Sequence, residues 1–159
     1  MAEANIELGK VSQHNIKQLK ILNSVVFPVP YDNKFYNDVL NSGELAKLAY
    51  YNGIVVGAVC CSIDTNEESR KLYIMTLGCL YPYRRLGIGT LMMQHVLNYA
   101  ENDGGFDSIF LHVQVNNEGA INFYKKFGFE IVETNEHYYV STQTPGAHVL
   151  QKTIRKTGQ

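Results

Sequence analysis

The spacing of apolar residues changes period several times along the chain, and each change marks an element. Ile6, Leu8 and Val11 begin a short strand-like segment. From Ser12, a candidate N-cap, Ile16, Leu19, Leu22 and Val26 recur at helical spacing. Phe27-Pro28-Val29-Pro30-Tyr31 stops that helix, because two prolines so close forbid helical backbone and force an extended, rigid loop. Asp32 or Asn33 then caps a second short helix through Phe35, Val39 and Leu40 that closes at Gly43. Residues 46–51 and 54–63 read as a hairpin, since the intervening Asn52-Gly53 supplies the positive φ angles of a type I′ turn.

Polar residues 64–69 form a loop, and residues 71–80 are β-rich enough to add a third antiparallel strand. Pro82-Tyr83-Arg84-Arg85-Leu86-Gly87-Ile88-Gly89 leads into an amphipathic helix carrying Leu91, Met92, Val96, Leu97 and Ala100, which ends before Gly104-Gly105. Residues 108–115 predict a strand, 117–127 a helix ending at Gly128, and 129–133 another strand. Residues 138–140 and 147–152 read as one more hairpin pair around a Ser-Thr-Gln-Thr-Pro-Gly loop.

Composition narrows the class. A length of 159 residues fits one domain at roughly 100–200 residues per domain, and the expectation is a single domain over residues 1–159 with 153–159 as a flexible tail. With 45% hydrophobic residues disorder is excluded. Lys plus Arg number 14 against 15 Asp plus Glu, so the basic excess of a non-specific phosphate-backbone binder is missing and nucleic acid is not an expected partner. The longest apolar stretch, residues 54–61, is far below the ~20 residues of a membrane span. The amino terminus lacks the basic start and apolar core of a secretory signal. Cys60, Cys61 and Cys79 have no metal-ligand spacing, and Cys60 and Cys61 read as buried small hydrophobes; no metal is expected.

Two motifs carry chemistry. A strand running through Arg84-x-x-Gly87-x-Gly89 into a helix presents backbone N–H groups at a helix amino terminus, which favours an anion, and Arg84 and Arg85 can add charge-assisted bonds. Alone, the pattern also fits two glycines easing a strand-to-helix turn. It is neither a Walker loop nor a dinucleotide fingerprint, because Met92 stands where the third glycine belongs. The second motif, Asn117-x-x-Ala120-x-x-Phe123-Tyr124-x-x-x-Gly128-Phe129, follows a strand at a separation suited to a β-α-β unit.

Together these motifs resemble the GCN5-related (GNAT) acetyltransferase superfamily. Phe27-Pro28-Val29-x-Tyr31, Leu72-Tyr73-Ile74-Met75-Thr76-Leu77-Gly78 and Tyr83-Arg84-Arg85-Leu86-Gly87-Ile88-Gly89-Thr90 are similar to the San-type amino-terminal acetyltransferases, the catalytic subunits of NatE. The resemblance implies an α/β fold, a mixed sheet of about seven strands splayed at its middle and flanked by four helices. It further implies acetyl-CoA as co-substrate, held by Leu77, Cys79, Arg84, Arg85, Leu86, Gly87, Ile88, Gly89, Thr90, Asn117 and Tyr124. The acceptor it implies is the α-amine of a protein amino terminus, with methionine followed by a hydrophobic residue preferred. The resemblance also implies association with the NatA complex, while the cysteine usage and the amino terminus fit a reducing, intracellular setting, expected to be cytoplasmic and secondarily nuclear.

Acetyl transfer needs a base, a donor for the developing oxyanion and a proton for the leaving thiolate. His112 alternates with Phe110 and Gln114 on its strand, and its ordinary pKa of about 6.5 suits proton removal at neutral pH; the residues alone also fit a satisfied core histidine. The resemblance pairs it with Tyr73 and an ordered water as the base, gives Tyr124 the thiolate, and makes the Leu77 N–H the oxyanion donor. It also assigns the peptide groove to Phe27, Pro28, Val29, Tyr31, Met75, Tyr138 and Tyr139, although a proline turn packing its aromatic neighbours on the core would look the same. Lysine or small-amine acetylation and a weakly active acetyl-CoA-binding scaffold subunit involved in sister-chromatid cohesion are the competing readings. The chain departs from the San pattern after Tyr139, where Val140-Ser141-Thr142-Gln143-Thr144-Pro145-Gly146 replaces a segment with two positive charges and an apolar pocket residue. Ser62 and Pro30 stand where relatives carry arginine and serine.

Overall fold

The computed structural model describes residues 4–27, 30–135 and 146–154. In chain order the elements are β1 (Ile6–Lys10), α1 (Ile16–Val26), α2 (Asn33–Leu40), β2 (Ala46–Tyr51), β3 (Ile54–Thr65), β4 (Arg70–Cys79), α3 (Ile88–Asp103), β5 (Ser108–Gln114), α4 (Glu118–Lys126), β6 (Glu130–Asn135) and β7 (Ala147–Thr153). Seven strands form a mixed sheet in the order β1-β2-β3-β4-β5-β7-β6, with β4 and β5 parallel. The ladder of that parallel pair runs over only three residues, 71–73 against 108–110. The chain divides into two compact units, Met1–Ser62 with Met75–Tyr99 and Ile63–Ile74 with Ala100–Gln159.

In the first unit, Asn52 (φ 49°) and Gly53 (φ 83°) both take the left-handed backbone that the predicted type I′ turn requires. Asp32 is the N-cap of α2, its carboxylate accepting from the Phe35 N–H at 2.9 Å. The cap expected at Ser12 falls elsewhere: the Ser12 hydroxyl accepts from the His14 N–H in a preceding turn, and α1 begins only at Ile16. The core is built from Ile16, Leu19 and Leu22 of α1, Tyr36 and Val39 of α2, and Leu48, Ala58 and Cys60 of the sheet. Burying each such aliphatic side chain contributes about 1.5–3 kcal/mol.

Two glycines in this unit allow close approach. A Cβ on Gly57 would stand 2.9 Å from the Gly78 carbonyl oxygen, and one on Gly78 would stand 2.7 Å from Val26 Cγ1 and 2.8 Å from Phe27 Cζ. The end of α1 and the Phe27 ring therefore rest directly on the β4 backbone.

In the second unit β5 alternates, with Ile109, Leu111 and Val113 buried and Phe110, His112 and Gln114 half-buried. β7 lies between β5 and β6 and pairs antiparallel with both, so both of its edges are hydrogen-bonded. The hairpin partner expected at 138–140 lies outside the described residues; the strand that pairs with β7 is β6, which runs two residues further than its pattern suggests. Thr153 and Ile154 are not tail, since β7 reaches Thr153, and Ile154 is buried and donates its N–H to the Asp107 carbonyl at 2.8 Å. Arg70 ties this end together: its N–H donates to Asp107 Oδ2 at 2.8 Å, its guanidinium pairs with the Asp103 carboxylate, and it lies 4.1 Å from the Phe106 ring centroid. Asp103 is held below the usual carboxylate range, first by that hydrogen bond from Arg70.

Because the atom facing Gly57 is backbone rather than a flexible side-chain end, Gly57→Ala should destabilise the protein by about 1–3 kcal/mol, the usual cost of overpacking. Urea unfolding followed by circular dichroism measures it; an unchanged midpoint would show that β3 and β4 can separate without strain.

Candidate active site

Between β4 and α3 the chain makes a single helical turn at Tyr81–Tyr83, extends at Arg84, and then enters left-handed backbone at Arg85 (φ 66°) and Gly87 (φ 89°) before α3 starts at Ile88. Left-handed residues alternating with ordinary ones turn successive N–H groups toward one side, a nest for an anion, and the free N–H groups and dipole of the α3 amino terminus add to it. A non-glycine residue held at positive φ costs roughly 1–3 kcal/mol and is found where function fixes the backbone. A Cβ on Gly87 would meet nothing within 4 Å, so glycine is required there by backbone angle and the space beside it is open. These residues fit a phosphate group.

The side chains of the loop divide their work. Arg84 donates from Nε to the Cys79 carbonyl at 3.3 Å and lies 5.4 Å from the Tyr81 ring centroid, so it braces the loop as well as supplying charge. Arg85, Leu86 and Thr90 are exposed, whereas Ile88 is buried and offers a ligand only its backbone. Asn117 is the N-cap of α4, its Oδ1 accepting from the Ala120 N–H at 3.2 Å, which commits that oxygen to holding the helix. Tyr124 is buried on α4 with its ring edge-on to Phe123 and tilted against Phe129, at centroid distances of 5.3 and 5.7 Å.

The β4–β5 ladder ends where Tyr73 stands beside Phe110. Their rings stack at 4.7 Å and 12°, and the Tyr73 hydroxyl shares a hydrogen bond of 3.1 Å with His112 Nδ1. Burial lowers the His112 pKa from its ordinary 6.5, with Glu133 opposing the shift. Burial thus favours the neutral imidazole, the form able to accept a proton. The two residues singled out from the sequence as a base pair are brought together; Phe110, which fixes the Tyr73 ring, was not singled out, and the signal for it was its place two residues before His112 on the same strand face.

Phe27 begins an aromatic run in the first unit: Phe27 and Tyr31 meet edge-on at 6.1 Å, Tyr31 stacks on Phe35 at 4.5 Å, and Phe35 meets Tyr36 at 5.1 Å. Met75 on β4 is half-buried against the core that holds α1 and α2, and Leu77 follows it on the same strand. Pro28, Val29, Tyr138, Tyr139 and Thr142 lie outside the described residues. All three cysteines are free and buried. Desolvation raises the Cys60 thiol to about 11, raises Cys61 further, and raises Cys79 against the opposing charge of Arg84.

The acetyltransferase (GNAT) family matches residues 15–129. The chain belongs to the GNAT acetyltransferases. This acetyltransferase is 71% identical to the probable N-acetyltransferase san of Drosophila melanogaster, over 99% of its own length and 85% of the relative's. It is 64% identical to N-alpha-acetyltransferase 50 of Danio rerio, over 96% and 91%. Among solved structures, Arabidopsis thaliana Naa50 in complex with the bisubstrate analogue CoA-Ac-MVNAL superposes with a TM-score of 0.86 at 47% identity, over 94% of this chain and 99% of that one. Arabidopsis NAA60 in complex with a bisubstrate analogue, at 21% identity and a TM-score of 0.85, shares the fold. The acetyltransferase is thus a San-type N-alpha-acetyltransferase.

Gly89→Glu would place a carboxylate and its bulk in the first turn of α3, where an anion is to bind. The variant should keep the wild-type circular dichroism spectrum and lose acetyl-CoA binding in calorimetry; a folded variant that binds within a few-fold of wild type would overturn the phosphate assignment.

Proposed function

We propose that this acetyltransferase moves the acetyl group of acetyl-CoA directly to the α-amine of proteins that begin with methionine followed by a hydrophobic residue, using Tyr73 and His112 as one proton-removing unit. The hydrogen bond between Tyr73 and His112 Nδ1 carries this reading. An α-amine has a pKa of about 7.7–8.0 and arrives mostly as ammonium, so a proton must leave before nitrogen can attack. Neutral His112 takes it by way of a water molecule that the Tyr73 hydroxyl helps to orient; Tyr73 itself, with an ordinary pKa of about 10, is too weak a base to act alone.

The free amine forms a C–N bond to the thioester carbonyl carbon. The carbonyl oxygen gains negative charge, for which the Leu77 N–H is the donor. Collapse breaks the C–S bond, the nitrogen gives up its second proton, and the sulfur leaves with a proton relayed through Tyr124. The products are an amide, a thiol and one proton released through His112. The coenzyme pyrophosphate is held by the nest at Arg85–Gly87 and the amino terminus of α3, with Arg84 and Arg85 supplying positive charge.

The acceptor preference rests on Phe27, Tyr31 and Met75, which bring apolar and aromatic surface and no carboxylate for a lysine ammonium. The analogue bound to the 47% identical Arabidopsis relative carries a peptide that begins with methionine. The polar segment after Tyr139, with Thr142 in place of an apolar residue, weakens discrimination at the second position, since one methylene-scale contact is worth about 1–3 kcal/mol.

Two measurements test the reading. Tyr73→Phe and His112→Ala should each lower kcat by about 10²–10⁴-fold with acetyl-CoA affinity nearly unchanged, and the double variant should be little worse than the poorer single one because both serve one proton path. Near-wild-type turnover in both singles would sink the mechanism. In a peptide-library assay with acetyl-CoA, Met-Leu peptides should outrank Ser- or Ala-starting peptides and internal lysines, and Thr142→Ile should raise kcat/KM for Met-Leu. Better turnover of Ser-starting peptides or lysine side chains would refute the preference.

A further inference from the structure

Across the second unit, His112 on β5 is opposite Val149 on β7, and Val149 is opposite Glu133 on β6. Directly opposed residues share a sheet face, so these three form one row. The row exists because of an irregularity. Ile131 pairs with Leu150, and if Val132 were paired with Val149 in regular register, Glu133 would fall opposite His148, on the other face; instead Val132 is the extra residue of a bulge. The bulge re-aims Glu133 toward the His112 face, a use of bulges common beside active sites. Thr134 confirms the alternation, because its hydroxyl reaches His148 Nδ1 at 2.8 Å on the opposite face.

Among the described strands, the titratable and charged groups on the His112 face are few: Tyr73, Lys71, Glu130 and Glu133. β4 presents Tyr73 and Lys71, β5 presents Phe110 and Gln114, β7 presents Val149 and Gln151, and β6 presents Glu130 and Glu133. Lys71 reaches Gln151 Oε1 at 3.5 Å and lies 5.9 Å from the Phe110 ring, and Glu130 is opposite that same Gln151, so both charges belong to the neighbouring row. Glu133 is the carboxylate in the row of the base.

We propose that Glu133 is a positioning residue for proton uptake, its carboxylate stabilising the His112 imidazolium that forms when the proton of the substrate ammonium arrives. The inference rests on His112 being the base. The proton moves from the ammonium through water to His112 and later to solvent; Glu133 stays ionised and exchanges nothing. Burial disfavours the charged imidazole, and Glu133 opposes that effect. At two strand spacings, about 10 Å, the carboxylate acts through its field.

The test uses the full chain at low salt. The His112 Cε1–H resonance is titrated by NMR in wild type, Glu133→Gln, Glu133→Lys and the control Glu130→Gln, and the pH profile of kcat/KM is measured for each. A single charge at that distance, screened by water on one side, should make the His112 pKa fall by about 0.3–0.6 in Glu133→Gln and further in Glu133→Lys. Glu130→Gln should move it less, and 1 M salt should shrink the differences. The lower limb of the kcat/KM profile should move to lower pH by the same amount. An NMR titration unchanged in both Glu133 variants, with wild-type circular dichroism, overturns the inference. A shifted resonance with an unshifted kinetic limb upholds the Glu133–His112 coupling and removes His112 as the base.

Discussion

Parallel pairing of residues 71–73 with 108–110 fixes the register in which Tyr73 and His112 meet, and the chemistry of the second unit depends on that short ladder. Parallel ladders are evenly spaced and slanted, so the residue that Tyr73 faces directly is Phe110, and His112 lies one face-repeat further along β5. Phe110 therefore holds the phenol ring by stacking while the hydroxyl extends forward to the imidazole. A slip of one residue would turn either strand over and put the two groups on opposite faces. The buried residues Leu72, Ile109 and Leu111 on the other face make that slip costly, so hydrophobic burial on one side sets a hydrogen bond on the other.

The first unit solves a different problem, which is how to bring main chain close to other groups. Gly57 lets β3 lie against the Gly78 carbonyl, Gly78 lets Phe27 rest on β4, and Gly87 turns the chain into α3 at a backbone angle that side-chain-bearing residues resist. Arg85 takes the same left-handed conformation without being glycine, and the brace from Arg84 to the Cys79 carbonyl lies just before it. Local backbone demands thus account for several small residues that hydrophobic patterning treats as gaps.

The fold was legible wherever one period held for a whole element. The hairpin at Asn52-Gly53, the Asp32 cap and the alternation of β5 follow from rules that involve only near neighbours. The third strand beside that hairpin was legible as well, since β4 is the neighbour of β3, whereas the pairing of β7 with β5 and β6 was not, because nothing local marks residues 130–135 as its partner. The site was legible in part. Arg84, Gly87 and Gly89 announce an anion by spacing, but the Tyr73–His112 contact joins residues 39 apart in sequence, and its meaning came from likeness to a family. Glu133 was invisible, since its face depends on a one-residue bulge that no pattern of β6 reveals.

The buried thiols have a consequence for a chain that handles an acyl thioester. Acetyl groups exchange readily between sulfur atoms, and a thiolate near the coenzyme would become an unwanted acceptor, trapping the enzyme in an acylated form. Sulfur attacks as the anion, and here desolvation keeps Cys60, Cys61 and Cys79 protonated, including the one beside the loop arginine. The same burial makes the three thiols poor targets for alkylating reagents and for oxidation to disulfides.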